Sequence, residues 1–214
     1  SRGTWSVAPG GLRPTTFSVE GDWSAVAFVA AAVAVAGGTA TVGPLREESL
    51  QGDRAVCDIL RRGGLDMTFR DENLVIGGAD LRPFEADLTD TPDLFPALSV
   101  VAAAAPPGTV LTGLDHLKHK ESDRLSVMID NLQRLGARLS MSGSRIEVVR
   151  GFHRSSVEET VVTAAGDHRI AMAMAVAALG AGELLLDDED CVSKSFPGFW
   201  QMWHSLIEGA ELPP

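Results

Sequence analysis

Four short stretches carry side chains of the kinds that move protons or hold anions. The densest is His116-Leu-Lys-His-Lys-Glu-Ser-Asp-Arg124, in which Lys118, Lys120 and Arg124 alternate with Glu121 and Asp123. It follows an apolar stretch and leads into a helical pattern, so its lysines fall near a helix N-terminus, where backbone N–H groups favour anions. Cations at that end cost some helix stability. The stretch reads either as a solvated charged loop whose serine caps the helix or as a site for an anionic ligand. His116 and His119, with Asp115, also have a spacing open to a metal, although no third ligand of fixed geometry stands out.

The second stretch is Asp167-His168-Arg169, placed just before the apolar run that starts at Ile170. Ionisable groups leading into such a run need partners. They read as a helix cap with a surface arginine, or as an arginine fork aimed at a carboxylate or phosphate. The third is Lys194 in Cys-Val-Ser-Lys-Ser-Phe-Pro, either an exposed loop lysine or part of a site. The fourth is Asp93 in Thr-Asp-Thr-Pro-Asp-Leu-Phe-Pro, either a helix N-cap or a carboxylate facing the cations. Among cations Asp93 would stay ionised and take a proton from a substrate hydroxyl, with Glu121 as a second acid–base group. Lys120, Arg124, Arg169 and Lys194 would then form one cationic rim. Two carboxylates amid four cations suit a polyanionic substrate that needs proton transfers, without a nucleophilic Cys or Ser triad.

The elements that must position these groups recur along the chain. Three alanine-rich runs, Ala25–Ala36, Ala97–Ala105 and Ile170–Leu179, each follow an acidic residue able to cap a helix: Asp22, Asp93 and Asp167. The three acids lie about 71 and 74 residues apart, longer than the roughly 20–50 residues of solenoid repeats. Each run ends at glycine and a short β-like stretch. A second helical segment follows, over Gly52–Arg62, Glu121–Leu135 and about Pro197–Ile207. After the first two come hairpin-like pairs of strands. The pattern predicts an α/β (α+β) fold of three β-α-β-α-β-β modules, at about 22–80, 81–155 and 156–209, the last one truncated. Helices apolar on nearly every face are buried all round, so the modules would pack with pseudo-threefold symmetry around them. Residues 1–21 read as strand, Gly/Pro turn and strand, either a tail or the end of a preceding module, and 210–214 as a tail.

Composition limits the partners. With 29 acidic and 18 basic side chains the chain carries −11, which argues against a nucleic-acid surface but not against a phosphorylated small molecule bound at a local cationic cleft. Cys57 and Cys191 have no C-x-x-C spacing, against a disulfide scaffold or a cysteine zinc site. No run approaches the roughly 20 residues of a membrane span, and no signal-like start is visible, so a cytoplasmic location is the default expectation.

Together the motifs resemble the signature segments of the EPSP synthase (3-phosphoshikimate 1-carboxyvinyltransferase) family. They are K-E-S-D-R at 120–124, G-D-H-R-I-A-M-A at 166–173, K-S-F-P at 194–197, T-P-D-L at 91–94, E-G-D-x-S at 20–24 and Q-G-D at 51–53. Any one tetrapeptide is weak; six in the family's order are specific. The resemblance covers nearly the whole chain but only the C-terminal half of the family's usual length. It implies one domain of a two-domain enolpyruvyl transferase fold, residues 22–209, with 1–21 as the end of the preceding domain and a crossover strand.

The resemblance also implies roles. Asp93 matches the proton acceptor at the reacting shikimate hydroxyl, Lys120 a lysine beside it, and Glu121 the carboxylate that handles the proton at the methylene carbon of phosphoenolpyruvate. Arg124, Arg169 and Lys194 match the cations that hold phosphoenolpyruvate. His168 is expected to orient rather than transfer protons. His116 stands where the family often has Asn or another polar group near shikimate 3-phosphate. No metal or other cofactor is implied. The partner implied is the N-terminal half of the enzyme, in cis or as a second chain, and the lone chain is expected to be inactive without it. Alternatives are a non-catalytic domain that only binds ligand or a partner half, and UDP-N-acetylglucosamine enolpyruvyl transferase, against which K-E-S-D-R and K-S-F-P speak.

Overall fold

The computed structural model describes residues 4, 6–11, 13–153 and 160–208. A first stretch holds α1 (Trp23–Ala36), β1 (Thr39–Val42), α2 (Val56–Arg62), β2 (Leu65–Arg70) and β3 (Asn73–Ala79). A second holds β4 (Glu85–Asp87), α3 (Phe95–Ala104), β5 (Val110–Thr112), α4 (Arg124–Arg134), β6 (Arg138–Ser142) and β7 (Arg145–Arg150). The last holds β8 (Thr160–Val162), α5 (His168–Ala181), β9 (Leu184–Leu186) and α6 (Phe199–Glu208). Short 3-10 turns at Gly52–Ala55, Pro92–Leu94, Asp115–His119 and Asp190–Lys194 link them.

Helices α1, α3 and α5 touch one another pairwise, and each also packs on a sheet, against β3, β7 and β9 respectively. Their sequences explain it. With apolar residues on every face, none has a side that prefers water, and their many alanines let the backbones approach closely. Glycines close α1 and α5: Gly37 (φ 79°) and Gly182 (φ 100°) take up left-handed backbone and donate their N–H groups to Val33 and Ala178. By contrast α4 buries one stripe, Leu125, Met128 and Leu132, and leaves the other side wet. Asn131 on α4 is fully buried and satisfied: its amide accepts from the Thr163 N–H (3.1 Å) and donates to the Thr163 carbonyl (2.8 Å).

The sheets run β1-β3-β2, β4-β5-β7-β6 and β8-β9. Pairs β4/β5 and β8/β9 are parallel, bridged by α3 and α5 as such pairs require; the other pairs are antiparallel. The hairpins expected over 65–78 and 137–151 are present as β2/β3 and β6/β7. The strands expected within residues 1–21 are not: the described residues there form neither helix nor strand. Phe17 and Val19 are 73% and 81% exposed, and with no strand paired to this segment among the described residues, extended backbone gains no ladder. The boundary at 155/156 and the 210–214 tail lie outside the described residues. Among those residues no helix is long and apolar enough to cross a membrane.

Candidate active site

Asp22 and Asp167 cap their helices as their positions suggest. Asp22 accepts from the Ser24 N–H and Asp167 from the Arg169 N–H, each at 2.9 Å. Asp93 does not cap α3. It lies in the 3-10 turn Pro92–Leu94, α3 begins only at Phe95, and Pro96 removes an N–H that a capping carboxylate would have taken. Its carboxylate turns instead to three cations. Oδ1 accepts from Arg124 Nη1 at 2.8 Å and pairs with Lys120 Nζ at 3.2 Å, while Oδ2 pairs with Arg169 Nη2 at 3.3 Å.

Arg124 links the rest. Its side chain is fully buried at the first turn of α4, where Asp123 rather than Ser122 caps the helix by accepting from the Ser126 N–H. Nε donates to Asp167 Oδ2 (2.9 Å), Nη2 to Asp167 Oδ1 (3.3 Å) and to Glu121 Oε2 (2.7 Å). All three nitrogens are therefore bonded to carboxylates. Arg124 lies beneath the site as its floor, not on an exposed rim as the sequence pattern had suggested. The charges nearly balance there, Lys120, Arg124 and Arg169 against Asp93, Glu121 and Asp167, which is what permits so many ions in a half-buried place.

Burial raises the proton affinity of Asp93, but the Arg169 charge, the Arg124 hydrogen bond and Lys120 outweigh it and hold the carboxyl below its usual range. In Arg124 the order is similar: burial opposes the charge, and the bonds to Asp167 and Asp93 raise its pKa above the ordinary value. His168 moves the other way. Burial, then the Arg169 charge, lower its pKa, so the ring is neutral near pH 7. Its Nδ1 is buried without a hydrogen-bond partner among the described residues.

Beside this cluster opens a cleft of about 290 Å³, lined among others by Asp22, the cap of α1, Ser24 on α1, His168 and Arg169 from α5, and Ser195 and Phe196. Lys194 stands next to Ser195 at the end of the turn Asp190–Lys194; it is exposed and makes no ion pair among the described residues. His116 is exposed in the turn Asp115–His119, as is His119, and among the described residues no three His, Cys, Asp or Glu side chains are grouped to hold a metal. Asp93, Lys120, Glu121, Arg124 and Arg169 thus meet directly, His168 lines the cleft, Lys194 is the chain neighbour of the cleft residue Ser195, and among the described residues His116 makes no hydrogen bond or ion pair to the cluster.

The sequence pattern places Asp167 in a candidate stretch but not as the anchor of Arg124, and it assigns no role to Ser24 in the cleft wall or to Asp53, whose carboxylate bonds the Ser24 hydroxyl. One signal marks Asp53 and Asp167 and stands two residues before Ser24. Gly-Asp recurs at 21–22, 52–53 and 166–167, each time ahead of a helix. Gln51 brings two of these together, accepting from the Trp23 N–H (3.1 Å) and donating to the Gly21 carbonyl (3.0 Å).

The fold is a mixed α/β one of the class seen in enolpyruvyl transferase structures. The structure resembles an EPSP synthase from Acinetobacter baumannii with a TM-score of 0.67 and 26% identity, over 85% of this chain and 45% of that one. It shares the fold of an enolpyruvyl transferase from Streptomyces tendae, with a TM-score of 0.65 and 20% identity, over 90% of this chain and 44% of that one. The family model of EPSP synthase (3-phosphoshikimate 1-carboxyvinyltransferase) matches residues 1–203, and the chain belongs to that family. Proteins named 3-phosphoshikimate 1-carboxyvinyltransferase from Methanoregula boonei and Halobacterium salinarum are each 36% identical to it, over 90% and 96% of this chain but 45% and 48% of their own lengths. The chain spans a little under half the length of the curated relatives it matches.

Proposed function

We propose that the chain supplies the C-terminal half of an active site that transfers the enolpyruvyl group of phosphoenolpyruvate to the 5-hydroxyl of shikimate 3-phosphate, releasing phosphate. The observation that carries this reading is the convergence of Lys120, Arg124 and Arg169 on the one carboxylate of Asp93. The modules 22–80, 81–155 and 156–209 form one domain with pseudo-threefold symmetry, and the partner is the N-terminal half, in cis or as a second chain.

In this reading a proton is added to the methylene carbon of phosphoenolpyruvate through Glu121. The substrate hydroxyl attacks the adjacent carbon and gives its proton to Asp93. The tetrahedral adduct then loses phosphate, and a methyl proton leaves to restore the double bond. Arg169 and Lys194 hold the carboxylate and phosphate of phosphoenolpyruvate, with Arg124 reaching them by sharing the nitrogens that now face Asp93 and Glu121. Lys120 contacts the shikimate 3-phosphate side, His116 lies at its edge, and neutral His168 orients Arg169. Fixed cations facing developing charge in a partly dry cleft would supply much of the rate. An arriving polyanion also draws cations away from Asp93, so its basicity rises when the hydroxyl is in place.

The test is release of phosphate from phosphoenolpyruvate and shikimate 3-phosphate, measured on this chain alone and after the N-terminal half is added. Turnover only in the mixture is expected. Turnover by neither would favour a domain that binds without catalysing, and substantial turnover by the lone chain would remove the half-site.

A further inference from the structure

A carboxylate surrounded by Lys120, Arg124 and Arg169 is a poor base, yet the proposed reaction asks Asp93 to accept a proton. A second carboxylate bears on that difficulty. Asp53 sits in the turn Gly52–Ala55, which packs on the start of α1. Its Oδ2 accepts from the Ser24 hydroxyl, and Ser24 and Arg169 line the same cleft. Gln51 fixes the geometry from the other side through Gly21 and Trp23. We propose that Asp53, held by Ser24, is a positioning residue that offers Arg169 a second counter-charge and so leaves Asp93 able to take the substrate proton. This rests on the proposed function and adds to it a residue that does not touch the reacting atoms.

Ser24 on α1 bonds Asp53 directly, and the charges that act on Asp53 from further off come from three elements: Asp22 at the entry to α1, Asp93 ahead of α3, and Arg169 on α5. Arg54, on its own turn, bonds instead to the Glu47 carbonyl and pairs with Asp58 at 3.6 Å. Burial, and after it the neighbouring Asp93 and Asp22, raise the proton affinity of Asp53, against the Ser24 bond and Arg169. Arg169 pairs directly with Asp93 at 3.3 Å and acts on Asp53 only across a longer distance, and two carboxylates near one guanidinium each make the other a stronger base. As Arg169 moves to an anionic ligand, Asp53 keeps it on the cleft wall while its negative charge raises the proton affinity of Asp93.

The experiment uses the complete enzyme, this chain with its N-terminal half, and follows phosphate release from phosphoenolpyruvate and shikimate 3-phosphate against pH. Comparison of variant with parent at each pH cancels the ionisation of the substrates. In Asp53→Asn the acid limb of kcat is expected to move to lower pH by about 0.5–1, with kcat at its plateau down about 3–30-fold. KM for phosphoenolpyruvate is expected to be unchanged or lower, because a negative charge beside the anion site is gone. Asp53→Glu should return the limb toward the parent position, and the Ser24→Ala/Asp53→Asn double variant should behave as Asp53→Asn alone. Thermal unfolding of each variant separates a folding defect from a catalytic one. An acid limb unmoved in a folded, active Asp53→Asn enzyme overturns the inference and leaves the proposed function standing. Absence of turnover in the parent enzyme overturns the proposed function itself, and normal turnover in Asp93→Ala overturns the role given to Asp93.

Discussion

Arg124 and Asp167 are joined by two hydrogen bonds, Nε to Oδ2 at 2.9 Å and Nη2 to Oδ1 at 3.3 Å, with neither side chain exposed to solvent. The pair ties the start of α4 to the start of α5, and so holds together the two segments that carry most of the site. The charged partners of the pair are each other, Asp93 and Glu121, and Asp167 also accepts from the Arg169 N–H and the Ser122 hydroxyl. Removing one leaves an ion with incomplete company in a dry place. Asp167→Ala is expected to destabilise the fold by about 3–5 kcal/mol, including the lost cap of α5. Urea unfolding measures it, and a loss below about 1 kcal/mol would mean the pair contributes little.

Asp93→Ala addresses chemistry more than folding, since the Asp93 side chain is 33% exposed. In the complete enzyme turnover is expected to fall about 10²–10⁴-fold, the range for loss of a positioned acid–base group. Circular dichroism should stay native. Turnover within a few-fold of the parent removes Asp93 from the mechanism.

Acid stability follows from the same carboxylate. The cations hold the folded pKa of Asp93 below its unfolded value, against the opposing effect of burial. The stabilisation is therefore complete above the unfolded pKa of about 4 and is lost as pH falls through the folded one. Unfolding free energies measured at a series of pH values should decline below about pH 5, and Asp93→Asn should decline less steeply. Equal slopes for parent and variant would assign the acid sensitivity to other groups.

Lys194 offers the opposite separation. It is exposed and without an ion pair among the described residues, so Lys194→Ala should change stability by no more than about 0.5 kcal/mol. If it grips phosphoenolpyruvate, KM for that substrate should rise about 10-fold or more while kcat changes less. An unchanged KM would place Lys194 outside the anion site.

Much of this was legible in the residues. The three alanine-rich runs are helices because no polar face competes for solvent, and the caps at Asp22 and Asp167 follow from short carboxylates standing just before them. The paired strands 65–70/73–79 and 138–142/145–150 follow from β-rich stretches separated by turn residues. The strands read into residues 1–21 are absent among the described residues there, for a complementary reason. A strand needs a partner edge, and local composition does not say whether one is near.

The sequence alone determined which side chains were available and roughly where along the chain each would stand: Asp93, Lys120, Glu121, Arg124 and Arg169 all lie at helix entries or in the loops before them. Only the tertiary structure decided what each one does there. Asp93 and Asp167 both precede a buried helix, yet Asp167 caps and anchors while Asp93 collects three cations. Arg124 and Lys194 are both cations in charged loops, yet one is fully buried and the other exposed. Local rules set the backbone and the polarity of a segment. Burial and charge pairing depend on neighbours 31 to 43 positions away, as between Arg124 and its partners Asp93 and Asp167, and those are fixed only when the three helices pack.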